Sequence, residues 1–194
     1  TANGLGGATT LTYQPSSELS ATSLPFAISV VSQMVTSDGL GSNYATSFRY
    51  AGGRYDASTK EFRGFQTATV TDAAGTTTTT TFAQDVHSKG RPLTVEVRDS
   101  ASRLFTKTTN VWGCVEPFAG VHFTRLEQTD SAIYDGDASF RQGRSRFGYD
   151  QYGNVTQTNE DGQVDPPLTG DERSTTTAFV YNPAAWILAT PSLT

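Results

Sequence analysis

The chain has a single cysteine, Cys114, which excludes an internal disulfide framework and any cysteine-based zinc knuckle. Histidine is almost as scarce, since His87 and His122 stand 35 positions apart and neither has an HxxxH partner. Only three of the 14 basic residues are lysines, and the net charge is −5. Such a balance argues against a nucleic-acid groove, because phosphates call for a basic face. No run approaches the ~18 consecutive apolar residues of a membrane-spanning helix. No G-x-G-x-x-G, P-loop or G-x-S-x-G pattern is present, and neither Gly52-Gly53 nor Gly4–Gly7 has the strand-to-helix context of a phosphate cradle. Leu, Glu and Lys, three strong helix formers, are thin.

Threonine is plentiful, with 31 of 194 residues, alongside 11 Phe and 8 Tyr. These types suit a pleated, half-buried surface, and 18 Gly and 8 Pro supply turns. The composition predicts an all-β chain of antiparallel hairpins in a curved sheet. Residues 1–23 are rich in Gly, Ser and Thr and read as an extended N-terminal segment. Residues 24–194 read as one β-sheet region. The opening Thr1-Ala2-Asn3 without an initiator Met, the lack of a signal-peptide pattern and the apolar Trp186–Leu188 close to the C-terminus suggest a piece of a longer polypeptide.

Strands are predicted over 26–36, 44–50, 62–71, 76–82, 92–98, 103–112, 121–129, 131–134, 145–149, 154–158 and 174–181. Asp38-Gly39, Asp72–Gly75, Asp99–Ser102 and Asp150–Gly153 are the intervening turns. The six threonines Thr76–Thr81 lie between a turn and Phe82 and read as a strand rather than as low complexity. Residues 113–120 and the acidic, Pro-containing 160–172 read as loops, and 182–188 as one short helical turn.

A motif recurs loosely. Its best copy is Phe147-Gly148-Tyr149-Asp150-Gln151-Tyr152-Gly153-Asn154-Val155-Thr156, with weaker copies at Tyr55-Asp56, at Phe82–Asp85 leading to Lys89-Gly90-Arg91, and at Val97-Arg98-Asp99. In such a unit the Tyr packs, the Asp accepts backbone N–H bonds at a turn, and the Gly takes positive φ. Each copy is a hairpin that cannot bury its face alone.

Several side-chain groups could carry chemistry. The carboxylates at Asp130, Asp135 and Asp137, and at Glu160, Asp161, Asp165, Asp171 and Glu172, could pair for glycoside hydrolysis, but they fall in predicted turns and loops and read as solvated turn residues. Asp135-Gly136-Asp137 offers oxygens for calcium without the EF-hand spacing. Asp85, His87 and Ser88 are adjacent in sequence, whereas a catalytic triad is a matter of geometry. Cys114, beside Trp112 and Pro117, reads as a small buried apolar residue. Tyr50, Tyr55, Tyr149, Tyr152 and Trp186 could stack on sugars, or could simply be core. In Lys60–Phe65, Phe62 and Phe65 read as wall packing, with Arg63 pairing to a carboxylate or a turn carbonyl. No cofactor is expected.

Tyr149-Asp150-x-x-Gly153-Asn154-Val155-Thr156 resembles a YD (Rhs) repeat. Tyr55-Asp56 followed by Lys60-Glu61-Phe62-Arg63-Gly64-Phe65 resembles a segment of the B component of bacterial Tc (ABC) insecticidal toxin complexes and related SpvB-like proteins. Ser37–Gly41, Lys89–Leu93 and Ala185–Leu188 follow in the expected order, so the resemblance covers about 24–194. It implies a non-catalytic wall segment of the β-sheet cocoon that the B and C components build around a toxic effector. It further implies partners in other shell segments and in a C-type Rhs component, with no nucleic acid and no direct membrane insertion. It also implies release as part of a secreted toxin complex made in a bacterial cytoplasm. The resemblance assigns the motif to Tyr55, Asp56, Phe62, Arg63, Gly64, Phe65, Tyr149, Asp150, Gly153 and Asn154. The alternative is an extracellular adhesion or carbohydrate-binding β domain.

Overall fold

A computed structural model describes residue 4 and residues 6–192. The fold is all-β and antiparallel, as the composition predicts. The strands are β1 (Ala8–Pro15), β2 (Ser29–Ser37), β3 (Asn43–Ala51), β4 (Tyr55–Asp56), β5 (Glu61–Phe62), β6 (Thr67–Thr71), β7 (Thr77–Phe82), β8 (Pro92–Arg98), β9 (Leu104–Phe118), β10 (Val121–Tyr134), β11 (Phe140–Tyr149), β12 (Val155–Asp165), β13 (Arg173–Thr176), β14 (Phe179–Asn182) and β15 (Ile187–Pro191). Among the described residues the helical content is two single 3-10 turns, Ser16–Glu18 and Pro183–Ala185. Among the described residues no helix is long and apolar enough to cross a membrane.

Two compact units divide the chain, Thr1–Lys107 and Thr108–Thr194. In the first, the strand order is β1-β2-β3-β6-β7-β8, followed by the opening residues of β9, and β4–β5 form a side hairpin. Because neighbouring strands run antiparallel, successive connections alternate between the two ends of this sheet. The short Asp38, Asp72 and Asp99 turns lie at one end. The long connections 16–28, 52–66 and 83–91 lie at the other: Ser16 N–H closes the first by donating to Ile28 O (2.8 Å), Ser23 N–H joins it to the second at Gly53 O (2.9 Å), and Phe82 N–H, at the end of β7, donates to Gln66 O (2.8 Å).

Register sorts the side chains of this sheet by chemistry. One face carries the row Leu11, Met34, Thr46, the row Phe48, Val70, Thr78, Val97, and the row Tyr50, Ala68, Thr80, Val95. The other carries the paired threonines Thr67/Thr81, Thr69/Thr79 and Thr71/Thr77, with Arg49, Glu96 and Arg98. Hydroxyls of Thr69 and Thr79 lie 3.2 Å apart, and those of Thr71 and Thr77 3.4 Å, so the threonine run is a strand whose alternate hydroxyls bond across the ladder.

The second unit holds the rest of β9 followed by β10-β11-β12-β13, with β14–β15 as a separate hairpin. Charged pairs cross its strands: Arg144 Nε to Asp130 Oδ1 at 2.7 Å, Arg146 Nη2 to Asp161 Oδ1 at 2.8 Å, and Arg173 with Glu160.

Several boundaries differ from the pattern-based reading: 121–129 and 131–134 are the one strand β10, and β11 begins at Phe140 rather than at 145. Residues 62–71 are not one strand, since the chain leaves β5 at Phe62 and turns through Gly64 at φ +84° before β6. Residues 113–120 are not a loop. β9 runs to Phe118 and turns only at Ala119-Gly120, with Gly120 at φ +76°. Residues 160–165 continue β12, because the Glu160 and Asp161 charges are met by arginines on flanking strands. Residues 174–181 split between β13 and β14, where Thr177 N–H turns to Thr156 O (2.9 Å). The predicted helical turn at 182–188 is the 3-10 turn, with Asn182 Oδ1 accepting Ala185 N–H.

Candidate functional site

The two aspartates of the Tyr-Asp motif organise separate sites, one in each unit. In the first, Tyr55 pairs with Phe62 and Asp56 with Glu61, so the motif and the Phe-Arg-Gly-Phe block are the two arms of one small hairpin. Asp56 Oδ1 accepts from Ser58 Oγ (2.6 Å), Ser58 N–H (2.9 Å) and Thr59 N–H (3.3 Å). Asp56 Oδ2 accepts from Arg63 Nη2 at 3.2 Å. Donation from the Ser58 hydroxyl, then from the Thr59 and Ser58 amides and from Arg63, holds the Asp56 carboxyl well below the usual carboxylate range.

Arg63 is the buried centre, 3% exposed. Its Nη2 also donates to Thr59 Oγ1 (3.0 Å). Its Nη1 lies 2.9 Å from Glu61 Oε2, within ion-pair range but off the hydrogen-bonding direction, and among the described residues no other acceptor reaches it. Glu61 in turn pairs with Lys89, which holds its carboxyl below the ordinary value. Gly64, beyond Arg63, needs positive φ to return the chain so that Arg54 N–H can donate to Gly64 O (3.1 Å) and Arg63 N–H to Arg54 O (2.8 Å).

Aromatic rings cover this hairpin, edge-on except for Phe65 on Tyr50, which is tilted at 39°. Phe26 meets Tyr55 at 5.5 Å and Phe62 at 6.3 Å, Phe62 meets Phe65 at 5.6 Å, and Phe65 meets Tyr50 at 5.2 Å. Sequence reasoning missed the clamp. Gln84 Nε2 donates to both Gly52 O (2.7 Å) and Gly64 O (2.8 Å), closing the loop from 20 to 32 residues away. No local pattern signals a bond that distant in sequence.

In the second unit the motif sits at the β11–β12 tip, paired as predicted, with Phe147 opposite Thr158 and Tyr149 opposite Val155. Asp150 accepts four hydrogen bonds. Tyr152 N–H (2.8 Å) and Asn154 N–H (2.9 Å) donate to Oδ1, and Asn154 Nδ2 (2.7 Å) and Tyr181 Oη (2.7 Å) to Oδ2. Asn154 Nδ2 donates also to Leu188 O at 2.6 Å. The β14–β15 hairpin is thereby fastened to the tip, and Tyr152 packs on Tyr181 with ring centroids 5.2 Å apart. Burial pushes the Asp150 carboxyl up, but the donations from Asn154, Tyr181 and the backbone outweigh it and leave it below the ordinary value; the same bond raises the Tyr181 phenol. Gly153, at φ +91°, passes so close to Phe123 that a Cβ would meet its Cζ at 3.2 Å. Tyr149 Oη donates to Leu126 O (2.8 Å), its ring meets Phe123 edge-on at 5.8 Å, and burial raises its phenol.

The repeated unit is wider than Tyr-Asp. Asp38, Asp72, Asp99 and Asp150 each accept the N–H groups two and four residues ahead on one carboxylate oxygen. In all four turns the third residue on has positive φ: Gly41 (106°), Gly75 (84°), Ser102 (64°) and Gly153 (91°). The signal in the sequence is D-x-x-G at 38–41, 72–75 and 150–153. At Asp99 a serine takes the strained position, which hides that copy.

The other candidates resolve into structure. Asp85 Oδ1 accepts His87 N–H (2.9 Å) and Ser88 N–H (2.8 Å), so these three residues form a turn cap. Asp135 pairs with Arg141, Asp137 accepts Ser139 N–H, Asp171 accepts Gln163 N–H, and Glu172 accepts Gly170 N–H. These carboxylates serve turns and ion pairs; Glu160, Asp161 and Glu172 line one open depression, where Arg146 pairs with Asp161 and Arg173 with Glu160. Cys114 is exposed rather than buried, because its strand β9 continues through the region read as a loop. Within the second unit its Sγ lies within 4.8 Å of a His122 ring nitrogen. Of the five rings considered for sugar stacking, Tyr50, Tyr55, Tyr149 and Tyr152 pack edge-on or tilted on other aromatics, and Trp186 is 78% exposed at the β14–β15 turn with φ 54°.

Residues 1–95 match the family described as the insecticide toxin TcdB middle/N-terminal region. No curated protein matches the chain. Among solved structures, a TcdB2-TccC3-Cdc42 crystal structure is similar at TM-score 0.79 and 16% identity, covering 96% of this chain and 14% of that one. A TcdB2-TccC3-TEV crystal structure is similar at TM-score 0.71 and 17% identity, over 80% of this chain and 11% of that one. A Photorhabdus luminescens Tc holotoxin pore is similar at TM-score 0.70 and 17% identity, with the same coverage. The chain thus spans about an eighth of the length of the structures it matches. In sequence over residues 1–95 and in fold over most of its length, the chain is similar to the middle region of the B component of an insecticidal Tc toxin.

Proposed function

We propose that the chain is a non-catalytic wall segment of the shell that a toxin's B and C components build around a toxic effector. The observation that carries this reading is how the polar groups are used. In both motif sites the carboxylates are consumed in holding strand ends and hairpins together, which is what a wall requires. An active site would instead leave two polar side chains converging on open space. Each unit is a run of antiparallel strands whose ladders pair the backbone groups and so seal the sheet. The likeness to TcdB2-TccC3 structures supports the same role and a C-type Rhs component as partner. On this reading the segment meets other parts of the shell rather than nucleic acid or lipid, and works outside the producing cell within a secreted complex. YD-type tips, residues 55–65 and 147–156, fasten neighbouring elements of the wall. The domain reading stays with it: 1–23 is an extended lead-in, and 24–194 is the wall region.

The test uses the full B component that carries this region, co-expressed with its C component. Protease protection of the effector is measured with the region intact, deleted, or carrying Asp150→Ala. Deletion is expected to expose the effector to trypsin, and Asp150→Ala to raise its cleavage rate. An effector equally protected without the region would overturn the proposal.

A further inference from the structure

We infer that Cys114 and His122 form a metal site on the β9–β10 hairpin of the second unit, taking one thiophilic closed-shell cation, Zn²⁺ or Cu⁺. The chain holds one cysteine and two histidines in 194 residues. Cys114 lies on β9 and His122 on β10, and the Cys114 Sγ comes within 4.8 Å of a His122 ring nitrogen.

Free cysteine is among the most buried residue types, because it behaves as a small apolar group and reacts where solvent reaches it. Cys114 is exposed instead. Core packing does not account for it there, and with no second cysteine neither does a disulfide within the chain. Beside it stands an imidazole, the nitrogen donor that shares an ion with thiolates in mixed metal sites. A single cysteine excludes a knuckle built of several thiolates, but not a mixed site of this kind.

The spacing fits one ion. Bonds of about 2.3 Å from zinc to sulfur and about 2.0–2.1 Å from zinc to nitrogen put the two donors about 3.6 Å apart at a tetrahedral angle and about 4.4 Å apart at most. A small rotation of two exposed side chains closes what gap remains. The hairpin holds them ready: β9 ends at Phe118, β10 begins at Val121, and the Glu116 carboxylate accepts the Gly120 N–H at the turn between them. Once one donor has bound, the second bond forms intramolecularly, so the pair binds more tightly than either donor alone.

The donor set chooses the ion. Mg²⁺ and Ca²⁺ take oxygen ligands, whereas thiolate and imidazole together suit zinc and copper. Cu⁺ is satisfied by two donors, and Zn²⁺ fills its remaining positions with water or further donors. The ion cross-links two neighbouring strands. That structural task agrees with a non-catalytic wall and does not depend on it.

Because Cys114 is the only thiol, its alkylation reads this site alone. The pre-reduced 194-residue chain is treated with iodoacetamide under argon, without metal, with one equivalent of Zn²⁺ or with one equivalent of Cu⁺, and the rate is followed by intact mass. A metal-bound thiolate is no longer the free nucleophile, so one of the two ions is expected to slow alkylation at least about tenfold. His122→Ala is expected to weaken binding at least about tenfold and to lose most of that protection. Far-UV circular dichroism checks folding, and His122→Gln takes the place of the alanine variant if that one unfolds. Where Zn²⁺ protects, Co²⁺ in its place is expected to give thiolate-to-cobalt absorption in the near ultraviolet that Cys114→Ser abolishes. Protection by either ion, lost with His122, supports the site and identifies its metal. Protection by neither overturns the inference. So does protection that the His122 variants leave unchanged in folded protein, because the thiol would then bind metal without the imidazole.

Discussion

Replacing Asp150 by alanine tests the claim that a Tyr-Asp tip fastens one hairpin to another. The substitution removes the acceptor of four hydrogen bonds, from the Tyr152 and Asn154 amides, the Asn154 side chain and the Tyr181 hydroxyl. Asp72 offers an internal control, since it accepts only the Ala74 and Thr76 amides in the same turn geometry. Losing two backbone donations to a turn carboxylate costs about 1 kcal/mol, as at a helix cap. The partly buried Asp150 site also gives up its bond to Asn154, whose amide then orients less firmly on Leu188 O, so about 2 kcal/mol is expected there. For a chain of this size each kcal/mol moves the melting temperature by about 2–4 °C, which predicts a fall of about 4–8 °C for Asp150→Ala and about half that for Asp72→Ala. Thermal unfolding followed by circular dichroism reads the global change. Amide exchange reads the local one: residues 179–191 should lose protection in Asp150→Ala and keep it in Asp72→Ala. Equal melting temperatures for the two variants, with unchanged exchange in β14 and β15, would refute the fastening role.

Other perturbations follow from the same geometry. Gly153→Ala forces a Cβ to within 3.2 Å of Phe123 Cζ at φ +91°, so a loss of about 1–2 kcal/mol is expected in urea unfolding. Arg63→Lys should fail to restore what Arg63→Ala loses in melting temperature, because one ammonium cannot bridge Asp56, Thr59 and Glu61 as the guanidinium does. Asp56 and Asp150 both have folded values below the unfolded carboxylate value of about 4; their stabilising contribution is therefore complete above that pH and is lost as pH falls through the depressed values, which an acid titration of stability should show. Tyr181 has the opposite sign. Its raised phenol favours folding below about pH 10 and gives that up as pH climbs through the folded value, and Tyr181→Phe should flatten the alkaline limb.

The sequence by itself determined the class of fold, the hairpin turns and the tip of the clean repeat. Those features rest on short-range chemistry: β-branched residues, Asp at turn starts, Gly where φ must be positive. Asp38-Gly39, Asp72–Gly75 and Asp150–Gly153 turn where they should because each carboxylate finds its donors within four residues. Tertiary structure decided the rest. β9 runs on through 113–118 because strand pairing outweighs the local Gly and Pro signals, and β12 absorbs Glu160 and Asp161 because arginines on other strands meet their charge. Gln84 reaches Gly52 and Gly64, and Tyr181 reaches Asp150 across 31 residues, through contacts that no spacing rule encodes. The sorting of three ions onto one face, away from Phe48 and Val70, was already implicit in the alternation of each strand. Only register, fixed by the pairing of strands distant in sequence, lined those alternations up into a face with and a face without charge.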